Sequence, residues 1–231
     1  MSTSTPIMKV EVLLTSIEDR TPARVSMVPP KLFFSIYYRD EENSFRRASK
    51  TMERSVKNTK VWDSDRDKFI SIEVYTEAEF VEAWSRVASA ANDGGFHVEQ
   101  GHLFTHASKP GNSGLEFAHA PGAGDGTISK AEMSALAVLP WRKSGKLFLH
   151  GCNTGLTGEK RSWTPAQVFA DRQRVRTSGT LGYAYFSTSR ERYIKIDDKS
   201  ETIFLLPFRR GKNGMFGNGS AIPTRTFDPT K

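Results

Sequence analysis

The chain has 231 residues, 37% of them hydrophobic and 11% aromatic, enough apolar material for a sizeable core, which excludes a chain disordered throughout. No apolar run approaches the roughly 18–20 residues of a membrane span, and the single cysteine, Cys152, excludes an intrachain disulfide or a four-cysteine zinc module. The net charge is +7, partly local: residues 46–60, RRASKTMERSVKNTK, hold six basic residues and one acid, but with few aromatics among them and no nucleic-acid-binding motif beside them they read as a solvated helix face.

The opening MSTSTPIMKVEV lacks the basic region, apolar block and cleavage site of a secretory signal. The expectation is a cytoplasmic protein, or one exported without a cleavable signal peptide. Residues 1–30 read as an N-terminal strand, KVEVLLTS, and a Pro-containing linker. KLFFSIYY (31–38) is the next strand, and Phe45, Ala48, Met52 and Val56 then mark one face of a helix. KFISIEVY (68–75) alternates with period two, and Thr76 with Glu79 forms a capping box that opens a second helix. Phe80, Trp84, Val87 and Ala91 share that helix's apolar face, and Gly94-Gly95 stops it.

A strand over about 96–105 runs into the loop-like THASKPGNSG. Ser129 and Glu132 box the start of a helix expected to end at Pro140, and KLFLH (146–150) is a short buried strand. Thr164, Pro165 and Gln167 open another helix. TLGYAYFS (180–187) is a strand, YIKIDDKSETIFLLPF a hairpin about DDKS, and residues 211–231 a Gly-rich loop or extended tail. Alternating strands and helices predict an α/β domain over 31–210, a three-layer α/β/α sandwich with a mostly parallel sheet. In such sheets chemistry gathers beyond the carboxyl ends of the strands.

Two strand ends carry reactive side chains: LFTHA, with His106, and LFLHGCNTG, with Cys152. A histidine takes the thiol proton and the thiolate attacks a carbonyl carbon. Gly151, Asn153 and Gly155 suit a tight bend whose backbone N–H groups face a developing oxyanion. The 46-residue separation is close to the ~50 between histidine and cysteine in caspases. The bland alternative is a lone cysteine packed as a small hydrophobe.

From Gly101 to about Ser187 the blocks LFTHA, GLEF (114–117), GTISKAEMSAL, LFLHGCNTGL and QVFADRQRVRTSGTLGYAYFS follow one another over roughly 90 residues. In kind and order they resemble the caspase-like, clan CD cysteine peptidases, most nearly their CHAT (caspase and tetratricopeptide-associated) domains. The resemblance implies a caspase-like fold, His106 as base and Cys152 as nucleophile, and an oxyanion hole from the backbone of Ala107 and Cys152. It implies a polypeptide substrate, admits a regulatory protein partner and requires no cofactor or metal. It also implies that the residue two before the cysteine, His150, faces the pocket for the side chain preceding the cleaved bond. Strand period puts His150 and Cys152 on one face, about 6.6 Å apart. Tyr185 and Ser187 are expected on the opposite wall.

The family has glycine directly after its histidine. Here Ala107 adds a β-carbon, expected where substrate approaches. His150 is not an acid, so the pocket is not expected to select Arg or Lys. The function expected is a cysteine endopeptidase, acting as a bacterial toxin or effector, with an inactive binding or scaffold module on the same fold as the alternative. Competing motifs are weaker. His102 and His106 lie about 13 Å apart on a strand and cannot share a metal. GAGDGTISKAE places Asp125, Gly126, Ile128 and Glu132 as in a calcium loop, but its first ligand positions would be Pro121 and Ala123. There is no Gly-Lys-Ser/Thr phosphate loop and no G-x-S-x-G elbow.

Overall fold

The computed structural model describes residues 28–107, 114–122, 124–157, 162–208 and 224–230. The expected strand over 9–16 and most of the first linker lie outside the described residues. The described elements are β1 (Lys31–Tyr38), α1 (Ser44–Lys57), β2 (Lys68–Val74), α2 (Glu77–Asp93), β3 (His97–Phe104), β4 (Leu115–Glu116), β5 (Thr127–Ile128) and α3 (Lys130–Ala135). They continue through β6 (Trp141–Leu149), α4 (Pro165–Gln173), β7 (Arg176–Thr180), β8 (Tyr183–Ser187), β9 (Phe204–Phe208) and β10 (Thr224–Phe227).

Six strands form one sheet in the order β10-β7-β6-β3-β1-β2. Every pair in it is parallel except β10 with β7. The protein is therefore α/β with a mostly parallel sheet. Leu32, Phe34 and Ile36 of β1 face a core filled by Phe80, Trp84 and Val87 of α2 and by Ala166 and Phe169 of α4. On the other face Ser35 Oγ lies 2.6 Å from Ser49 Oγ of α1. Helices thus cover both faces, an arrangement compatible with three layers.

The periodic segments fold as their spacing predicts. Phe80, Trp84, Val87 and Ala91 are all fully buried on one face of α2. Thr76 caps α2 by accepting from the Glu79 N–H at 3.3 Å. The Glu79 carboxylate completes the motif one residue early, accepting from Tyr75 N–H rather than that of Thr76. At Ser129 both halves of the capping box form.

Four expectations are corrected. α3 ends at Ala135 instead of reaching Pro140, because neighbouring side chains take the backbone groups a longer helix needs: Trp84 Nε1 and Gln173 Nε2 donate to the Ala137 carbonyl, and the Leu139 N–H donates to Gln173 Oε1. β6 begins at Trp141, five residues before the expected KLFLH. TLGYAYFS is two strands: the turn after β6 claims the Thr180 and Gly182 carbonyls through the Gly155 and Asn153 N–H groups, so the ladder breaks between β7 and β8. The hairpin about DDKS does not form; β9 pairs instead with β8, with Tyr185 opposite Leu206. The tail is extended where it is described: residues 224–227 form β10 along the edge of the sheet, while 211–223 lie outside the described residues.

Candidate active site

β3 and β6 are adjacent and parallel, with Leu103 opposite Leu149. His106 and Cys152 each stand three residues beyond that pair, so both leave the sheet at the same carboxyl edge. In chain order β1 leads one way to β2, while its neighbour β3 leads the other way to β6. His106 therefore leaves beside a topological switch point, where open α/β sheets form a crevice.

Glycine is what lets the two exits touch. A β-carbon on Gly151 would lie 2.8 Å from the Thr105 carbonyl oxygen and 3.1 Å from the Ala107 β-carbon. One on Gly155 would collide with the Gly179 carbonyl of β7. Between these glycines Asn153 takes a left-handed φ of 57°. Buried Thr154 accepts the Thr180 N–H at 3.0 Å on its hydroxyl oxygen and donates back toward the Gly151 carbonyl. The turn carrying Cys152 is thereby tied to β3, β6 and β7 at once.

The Cys152 thiol is half-buried and its Sγ accepts the Ala184 N–H of β8 at 3.3 Å. Burial pushes the thiol pKa up, and the Glu116 carboxylate pushes the same way; the N–H groups of Ala184 and of Cys152 itself act against them. The resting group is the neutral thiol. His106 is exposed, its ring held edge-on by Tyr38 at 5.4 Å and Phe45 at 5.0 Å between centroids. Its carbonyl accepts the Glu116 N–H at 2.8 Å, which places β4 alongside. Glu116 was not among the expected site residues. Its only sequence signal is membership of GLEF, just downstream of the histidine.

Ala107 is 2% exposed and belongs to the core, its β-carbon against Gly151. The methyl group expected in the substrate's path is packed inward instead, a correction. His150 closes a different surface. Its ring stacks on Phe104 at 4.3 Å with planes 8° apart, and its Nε2 lies 2.9 Å from Nδ1 of buried His102. Burial lowers the His150 pKa to about 4 and holds His102 well below the usual histidine range, where His150 adds to the effect. Both imidazoles are neutral near pH 7. β6 ends at Leu149, so strand period does not carry from His150 to Cys152. The paired strands β8 and β9 reach both: Ala184 of β8 contacts the sulfur, and Leu205 of β9 lines the same cavity as His150.

His150 lines a cavity of about 320 Å³ with Met52, Phe104, Ile203, Leu205 and Arg190. Tyr185 lines another, of about 410 Å³, with Arg47, Tyr193 and Lys195, and so does not share the wall of the first. Ser187 is fully buried, donating to the Arg192 carbonyl and accepting the Ser189 and Ile194 N–H groups; it organises the 188–194 turn rather than facing a pocket. No protein-family model matches the chain, and no curated protein matches it significantly.

Proposed function

We propose that the chain is a cysteine endopeptidase of the caspase-like kind. The observation that carries the reading is the shared exit of His106 and Cys152 from adjacent parallel strands, whose flanking backbone at Gly151 and at Thr105–Ala107 passes close together. The resting thiol is neutral, so His106 acts as a general base during attack rather than by holding a preformed thiolate. The sulfur adds to the scissile carbonyl carbon, the imidazole takes the thiol proton, and the amine leaves with that proton. The thioester so formed is hydrolysed by water that His106 deprotonates in turn. Backbone N–H groups at Ala107 and Cys152 are assigned to the oxyanion, an assignment the inward Ala107 methyl leaves sterically open. The substrate is a polypeptide, and the pocket beside His150 takes the residue before the cut.

A labelled peptidyl chloromethyl ketone tests this. Covalent modification at Cys152 that slows by about 100-fold in His106→Ala supports the dyad. Labelling indifferent to His106 favours the second reading, a scaffold module whose thiol rests against β8, as the Ala184 contact to Sγ allows.

A further inference from the structure

At the opposite end of the same strands lies a cleft of about 700 Å³. Its floor is one row of register partners across four strands: Phe33 of β1, Gln100 of β3, Lys146 of β6 and Arg176 of β7. The row lies on the face that α1 covers, but within this sheet α1 packs mainly on β1, β2 and β3, and Lys146 and Arg176 are exposed. Direct cross-strand neighbours of like charge repel one another. Two further cations, Lys143 and Arg174, line the walls, and Arg142 lies at the edge shared with the next groove.

The two acids of this cleft do not neutralise it. Glu99 pairs with Arg142 at 3.2 Å and Asp228 with Arg176 at 2.9 Å. Among the described residues no acid forms a close ion pair with Lys143, Lys146 or Arg174, although Asp171 attracts Arg174 at longer range. Arg174 is also conformationally unusual: as the residue ending α4 it holds a left-handed φ of 52°, where glycine is the ordinary choice. Its guanidinium reaches the Thr230 carbonyl at 2.7 Å, across the cleft wall. A volume of this size suits a small molecule, and guanidinium groups such as those of Arg174 and Arg176 along its lining suit phosphate oxygens. The adjoining groove, about 480 Å³, brings Asp63 and Asp67 against its own cations, so the excess positive charge does not extend along it.

We propose that this cleft binds a compact anion carrying two or more phosphate groups, on Lys146, Arg176 and Arg174. By strand rise it lies on the order of 15–20 Å from Cys152, and it is independent of the peptidase reading. The same chemistry comes from a free polyphosphate or from a nucleotide. Calorimetric titration of the full chain with inorganic tripolyphosphate and with ATP, at roughly 0.15 M ionic strength, separates the sources: equal affinity means the phosphate chain is the ligand, and tenfold tighter ATP means a nucleotide. Either is expected to saturate at one site, with Lys146→Glu or Arg176→Glu weakening it at least about tenfold. Lys146→Gln gives a milder loss if the glutamate variant melts early. Arg86→Glu makes the same charge change on the exposed face of α2 and is expected to stay within about twofold. The proposal is overturned by absence of saturation or by an equal loss in Arg86→Glu. It is equally overturned by an oligonucleotide of ~20 bases that binds more tightly than tripolyphosphate and is not displaced by it.

Discussion

The two ends of β3 and β6 handle polarity in opposite ways. At the carboxyl edge three ionisable groups are muted: His102 and His150 are stacked among phenylalanines and uncharged, and the Cys152 thiol is held protonated. At the amino edge Lys146 and Arg176 stand side by side and exposed. The difference lies in coverage. α1 and the β8–β9 hairpin close over the carboxyl end and strip its water, whereas at the amino end of β6 and β7 no described element lies over that face. Desolvation, not residue type, decides which end is electrostatically quiet.

The comparison breaks most sharply at the sulfur. Cys152→Ala is expected to reduce peptide hydrolysis to background while the melting temperature barely moves, because a half-buried turn residue fills little core volume. A loss of ~2 kcal/mol or more on denaturant titration would instead mark Cys152 as packing. Next comes Gly151→Ala. Its new methyl meets the Thr105 carbonyl and the Ala107 β-carbon, so a cost of about 1–3 kcal/mol is expected in urea titration, together with slower alkylation of Cys152 as the two exits separate.

Acid sharpens the contrast. A histidine whose folded pKa lies below its unfolded value of about 6.5 gives stability that is fully present above that value and is lost as pH falls toward the folded pKa. For His150 the window runs from about pH 6.5 down to about 4, and His102 acts in the same direction. A loss on the order of 2 kcal/mol is expected over that window, and the paired variant His102→Phe with His150→Phe is expected to flatten it. The amino edge, lacking buried histidine, predicts no such limb. The smallest effect is on selectivity: the described lining of the His150 cavity holds Arg190 and no carboxylate. A positional peptide library is therefore expected to disfavour Arg and Lys before the cut by about tenfold or more relative to Leu or Met, and a dominant basic preference would show that the pocket lies elsewhere.

Legibility in the sequence followed locality. α1, α2 and β1–β3 could be read because their burial repeats with the period of their own backbone. The end of α3 could not, since it is set by Gln173 on another helix, and neither could the break before β8, set by Gly155 and Asn153 of a distant turn. The same divide runs through the site. His106 and Cys152 stand out as strand-end residues, whereas Glu116 enters through a two-residue pairing and Ser187 leaves through the turn it binds. The inward Ala107 methyl depended on Gly151, a contact between segments 44 positions apart.

β10 gives the chain one more property. It runs antiparallel along β7 for four residues, with Thr226 Oγ1 2.8 Å from Ser178 Oγ and Arg176 bound to Asp228 just beyond. Without it, β7 would offer a row of open N–H and C=O groups, the template on which a second chain adds a strand. Shortening the protein before Thr224 is therefore expected to turn a monodisperse profile in size-exclusion chromatography into dimers and larger aggregates, a colloidal fault with its origin in four residues.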